Sequence, residues 1–237
     1  MTHTIFSHEL RTMLCSNCGA PIEVAVAGGQ APCDYCGAVH QVARRDESAD
    51  IQQAEAAPQV GESERFGMLR SQDAYPRPLP ADLQPYLFGG DLAPERVADA
   101  QRFWQATRTR VQQGAPFPDQ DRLFFLTLLL ARTVDDRTRR ALLENAVELL
   151  PDVRHRQVLR CALAEQAIIA RDLDAARGWL RPCNPRATDL QMDTAFRIAA
   201  ASLAAAEGRH QDVLAQLGSR PGDIPLADEA EAKAELI

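Results

Sequence analysis

The stretch CSNCGAPIEVAVAGGQAPCDYCGA, Cys15–Ala38, opens and closes on the same phrase, Cys-x-x-Cys-Gly-Ala. Two residues between cysteines let both sulfurs of a turn face one point, with the turn's backbone amides directed inward. Gly19 and Gly37 follow the pairs, where a left-handed backbone is easiest. Cys15, Cys18, Cys33 and Cys36 thus supply four thiolates in the spacing C-x2-C-x14-C-x2-C, the donor set of a closed tetrahedral Zn2+ site. Disulfides within each turn, or a four-thiolate iron site, use the same residues. A redox pair would need a βαβ setting that neither motif has. Four cysteines leave no open coordination position, so the expected cofactor is one structural Zn2+ rather than a catalytic one.

Around these turns the pattern is that of strands. Ile22, Val24 and Val26 alternate with other residues, Gly28-Gly29 can turn the chain, and Val39 and Val42 can begin a return strand. About thirty residues cannot bury enough apolar surface to fold alone. A structural zinc contributes roughly 10–16 kcal/mol of apparent free energy, against roughly 5–15 kcal/mol for the whole stability of a typical domain. Metal and fold should therefore appear together. His40, four residues beyond Cys36, reads as a surface residue of the return strand.

Composition bounds the rest. Of 237 residues, 46% are apolar and 25% charged, as in a soluble globular chain. The longest apolar run, around Leu123–Ala131, falls far short of the roughly 20 residues a membrane helix needs. Met1–Leu10 has no basic start followed by an apolar stretch, so no export signal is expected and the protein is placed in the cytoplasm, where thiols stay reduced. Lys233 is the single lysine among 26 basic residues, which with the alanine richness reads as a GC-rich bacterial genome. The net charge of −7 concentrates in residues 46–90 and 221–237; the remainder lacks the basic excess of a nucleic-acid binder.

The chain is expected to be multidomain. Residues 11–43 form the ribbon, and residues 44–90, acidic and then Pro-rich, read as a flexible linker with a short helix around Ser48–Ala57. Residues 91–220 read as a mainly α domain, and 221–237 as an acidic helical tail. In the α domain a capping helix spans 94–112, with Pro94 at its start and Val97, Ala100, Phe103, Trp104 and Val111 on one face. Thereafter a 37-residue period relates Leu126, Leu163 and Ala200, and likewise Leu143, Leu180 and Leu217. Each unit is a helix, a break and a second helix, at about 121–151, 158–184 and 195–218. Asp135 and Asp172 stand where second helices need N-caps. Such a period marks a solenoid of helical hairpins.

Two family resemblances follow. Residues 13–43 resemble the bacterial zinc ribbon, which implies the ligand role for Cys15, Cys18, Cys33 and Cys36. Residues 121–220 resemble tetratricopeptide repeats through Leu126, Leu130, Leu143, Ala146 and Pro151, then Leu163, Ala164, Ala167, Ala176 and Leu180, then Ala200, Ala201 and Ala204. The period exceeds that family's usual ~34 residues, and its first-helix tryptophan is missing. The resemblance implies a groove lined by Leu128, Ala131, Ile168, Ile169 and Ala205, suited to a protein partner.

Other residues read as structural. Cys161 and Cys183 flank the second break symmetrically and are expected to pack as small apolar groups. Asp135, Asp136, Asp172 and Asp174 read as helix caps. Arg137, Arg139, Arg140, Arg154, Arg156 and Arg160 read as a solvated face, with the acidic linker as the sharper alternative partner. The helix Arg122–Arg132 is apolar all round except at Thr127 and needs cover on every side. No catalytic motif is present, so the function expected is a non-catalytic protein–protein adaptor. The alternative is a nucleic-acid- or transcription-associated zinc-ribbon protein; an enzyme with its site in the helical part is the remaining class.

Overall fold

The computed structural model describes residues 10–44, 47–57, 60–72, 78–218 and Leu226. The tail at 221–237, Leu226 apart, and the histidines at 3 and 8 lie outside them. The chain divides into two compact units, the described residues of 1–45 with 79–159, and those of 46–78 with 160–237.

In the first unit, β1 (Leu10–Leu14) pairs antiparallel with β2 (Pro21–Ala25), Met13 opposite Ile22. β3 (Gly29–Pro32) pairs with β4 (Val39–Val42), Ala31 opposite His40. Each hairpin therefore carries one Cys-x-x-Cys turn at its tip. The strands before the turns, β1 and β3, have partners that alternation alone did not show. Cys15, Ile22, Val24, Ala31, Cys33 and Val42 form the small core. Gly28 (φ +82°) turns the chain between the hairpins, and a Cβ there would stand 2.7 Å from Val42 O and Arg44 N.

This ribbon lies against helices. β1 packs on α5 (Asp136–Leu149). The Thr12 amide donates to Glu144 Oε2 at 2.8 Å, and Arg140 donates to Glu144 Oε1 at 2.6 Å and to Leu10 O at 2.9 Å. Arg11 pairs with Glu148 and donates to Ala43 O. Arg11, Arg140 and Glu144 are all buried, so losing one partner of this network would strand a charge, at a cost of about 3–5 kcal/mol.

After a 3-10 turn at Ala81–Tyr86, β5 (Leu87–Phe88) and β6 (Asp91–Leu92) form a short hairpin over Gly89 and Gly90, both at positive φ. A second 3-10 turn, Pro94–Arg96, leads into α3 (Val97–Gln112), which covers α4 (Phe117–Ala131). Thr127, the one polar residue of the apolar run, is fully buried. It accepts from Trp104 Nε1 at 2.8 Å and donates to Leu123 O at 2.7 Å. Asp135 caps α5 by accepting from the Thr138 amide, which holds its carboxyl below the usual range. His155, at the start of α6 (Val153–Ile169), is buried, 4.4 Å from the Phe124 ring and 3.1 Å from Asp121 Oδ1.

The second unit holds the end of α6, with α7 (Leu173–Leu180), α8 (Leu190–Ala206) and α9 (His210–Leu217). Asp172 caps α7 and Asp189 caps α8. Its other part is the stretch expected as linker, which forms α1 (Ser48–Glu55) and α2 (Glu62–Arg70). These two are fastened by polar contacts rather than by an apolar stripe. α1 buries no residue, and α2 buries Arg65 and Leu69. Arg65 pairs with Asp193, both buried, and donates to Ala187 O at 3.2 Å. Gln72 donates to Thr188 O at 2.6 Å and accepts from the Leu190 amide at 2.8 Å. Arg160 reaches Asp50 at 2.5 Å. The arginine stretch is thus not a uniformly solvated face, because Arg140 and Arg160 are buried and paired; for Arg160 the partner is the acidic stretch itself.

Cys161 and Cys183 are buried free thiols, 2% and 3% exposed. Burial, then the neighbouring Cys183, pushes the Cys161 thiol well up. This is the packing role expected of them. Among the described residues no helix is long and apolar enough to cross a membrane.

Candidate metal centre

The two tips are built alike. The Cys15 amide donates to Ala20 O at 2.8 Å and the Gly19 amide to Cys15 O at 2.9 Å; eighteen residues on, Cys33 donates to Ala38 O and Gly37 to Cys33 O, both at 2.8 Å. Gly19 and Gly37 take φ of +75° and +70°, the left-handed backbone that closes each turn. In each tip an amide then reaches a sulfur, Ala20 at Cys18 and Ala38 at Cys36.

This geometry brings all four expected ligand residues together. Their sulfurs lie within 4.8 Å of one another, with Cys15 and Cys33 buried and Cys18 and Cys36 exposed. The Cys15–Cys36 sulfur distance is 3.6 Å and the Cys18–Cys33 distance 3.7 Å. A tetrahedron with metal–sulfur bonds of about 2.3 Å has edges of about 3.8 Å, so the arrangement fits a zinc-sized ion. Four cysteines this close cannot all ionise unless a cation lies among them. The thiols are correspondingly split. The Ala20 amide lowers Cys18, but burial and the other three cysteines push it up to about 12. The Asn17 side chain and the Ala38 amide bring Cys36 down to about 6.

Several contributors left little trace in the sequence. His40 Nε2 is 3.2 Å from Cys15 Sγ, and its Nδ1 is 3.4 Å from Ser16 Oγ. The residue expected at the surface therefore touches Cys15 from β4; its position four residues past Cys36 was the available clue. Asn17 links the first tip to a sulfur of the second. Gln105 comes from α3, ninety residues past Cys15, where no spacing rule could point to it; its Nε2 would stand 3.3 Å from a Cβ on Gly19.

The groove residues are distributed over both units. In the first, Leu128 is half-buried and Ala131 buried; in the second, Ile168 and Ala205 are half-buried and Ile169 is 80% exposed. No family model, no curated protein and no solved structure matches this chain.

Proposed function

We propose that the chain is a non-catalytic protein–protein adaptor whose N-terminal part is a zinc ribbon. Cys15, Cys18, Cys33 and Cys36 would hold one Zn2+, and the observation that carries this reading is the near-tetrahedral spacing of their sulfurs. When bound, the ion would offset two of the four thiolate charges and tie together two hairpins with a core of six small buried side chains. A four-cysteine set has no position left for substrate or activated water, so the ion's part is structural.

The helical part is read as tetratricopeptide-like hairpins, α4 with α5, α6 with α7, and α8 with α9. Matching turns support it. Asp172 donates to Ala167 O and Arg209 to Ala204 O; Arg171 donates to Ile168 O and Gly208 to Ala205 O. Each pair of bonds is separated by 37 residues, the period of the sequence. Arg171 even adopts the left-handed backbone (φ +63°) that Gly208 supplies at the equivalent place (φ +74°). Ile169, an isoleucine exposed at the end of α6, is the candidate contact for a protein partner.

Two measurements test this. Elemental analysis of freshly purified chain should give one zinc per molecule; none, or iron, removes the ribbon reading. Pull-down with the full chain, compared with Ile169→Asp, should retain protein partners that the variant loses. Retention of nucleic acid instead, released by salt, would favour the transcription-associated alternative.

A further inference from the structure

In the second unit, α1 is eight residues long and buries no side chain. A helix of this length is marginal in water on its own. The pairs that Arg160 makes with Asp50 and Glu47 fasten only its start. Its other end borders a cavity of about 470 Å3, within the range of small-molecule sites. Ala54 and Ala57, with Leu180 of α7 and Phe196 of α8, give this cavity an apolar lining.

The charged residues on the same wall are unequally engaged. Arg186 is spent on the chain: its Nη2 pairs with Glu62 at 2.7 Å and donates to Val60 O at 3.0 Å. Its buried Nε–H has no acceptor among the described residues. Arg181 and Glu55 also line the cavity and are exposed. Neither makes an ion pair or a side-chain hydrogen bond among the described residues, and so they do not neutralise each other. One cavity therefore offers a cation, an anion held apart from it, and apolar surface that no side chain of α1 fills. Opposite charges that share a cavity without meeting leave room for a ligand that carries both complementary charges.

We propose that this cavity binds a free α-amino acid with an apolar side chain. The carboxylate goes to Arg181, whose planar fork suits it, the ammonium to Glu55, and the side chain to the surface of Ala54, Leu180 and Phe196. Only a free amino acid carries both charged groups on one carbon; a peptide terminus carries one of them. The bound side chain supplies the apolar contact that α1 lacks, so binding and the ordering of α1 are linked. This goes beyond the adaptor reading and does not rest on the zinc site.

The test titrates the isotope-labelled full chain with L-leucine and three truncated probes. Isocaproate lacks the ammonium, isoamylamine lacks the carboxylate, and glycine lacks the side chain. L-Leucine should shift the amide NMR signals of Ala54, Arg181 and Phe196 saturably and slow hydrogen exchange across Ser48–Glu55. Each truncated probe should bind about 10–100-fold more weakly, the effect of losing one charge-assisted hydrogen bond or one buried apolar side chain. Arg181→Gln should weaken leucine binding by a similar factor, and Arg181→Lys should recover part of it. Ala54→Leu puts a side chain into the space and should prevent binding. The absence of saturable shifts with leucine overturns the proposal. So does isocaproate or isoamylamine binding as tightly as leucine, or binding that Arg181→Gln and Ala54→Leu both leave unchanged. None of these readouts involves zinc, so failure here leaves the ribbon reading untouched.

Discussion

The two cysteine tips share a sequence phrase, a left-handed glycine and the same pair of backbone hydrogen bonds, but they occupy different surroundings. At Gly19 an added methyl group would meet Gln105 of α3; at Gly37 it would meet nothing within 4 Å. The first tip has His40 beside Cys15, whereas the second carries Tyr35 at 68% exposure. The motif sets how each turn is made. The turn itself also sets which sulfur is sheltered, the first of each pair, while the neighbouring helix crowds the first tip and not the second.

If the tips are equal partners in one tetrahedron, losing a ligand from either should be equally severe. Cys15→Ser and Cys33→Ser should each lower zinc affinity by orders of magnitude and abolish the dispersed amide NMR signals of residues 10–44, because the metal supplies most of the ribbon's free energy. A marked difference between the two would mean that the helical wall, rather than the ion, holds one hairpin in place.

A smaller but still large effect is expected where the hairpins join. At Gly28 a side chain faces an unfavourable positive φ, costing about 1–2 kcal/mol, and a clash with the backbone of Val42 and Arg44, costing about 1–3 kcal/mol more. Gly28→Ala should therefore shift the urea midpoint of the metal-loaded protein strongly downward. A neutral result would show that the register of β3 on β4 is not fixed by this turn.

The finest discrimination lies between the two tip glycines. Gly37→Ala and Gly19→Ala should each cost about 1 kcal/mol for the left-handed backbone. Gly19→Ala should cost a few tenths more, because Gln105 must move away. Urea unfolding of the two loaded variants ranks them, and a larger loss at Gly37 would break the comparison.

Much of the centre was legible because its signals are local. Spacing of two residues, a following glycine and an alternating apolar run dictate a turn whatever lies beyond it. The same holds for the caps at Asp135 and Asp172, and for α4, whose all-round apolarity required the cover that α3 provides. The stretch 44–90 was harder. Its acid and proline content resembles a linker, yet α1 and α2 are fastened through Asp50 to Arg160 and Arg65 to Asp193. An ion pair formed across more than a hundred residues has no period, and each member on its own looks like a surface charge.

The sequence alone determined the four-thiolate donor set, the glycines that close its turns, the helix starts and the apolar helix in need of cover, since each is an interaction between residues a few positions apart. Tertiary structure alone decided that β1 is joined to α5 through Arg11, Arg140 and Glu144, that His40 touches Cys15, and that Gln105 of α3 stands against Gly19. A buried charge is stable only with a partner, and which partner it finds depends on where the fold returns the chain rather than on how the residues are spaced.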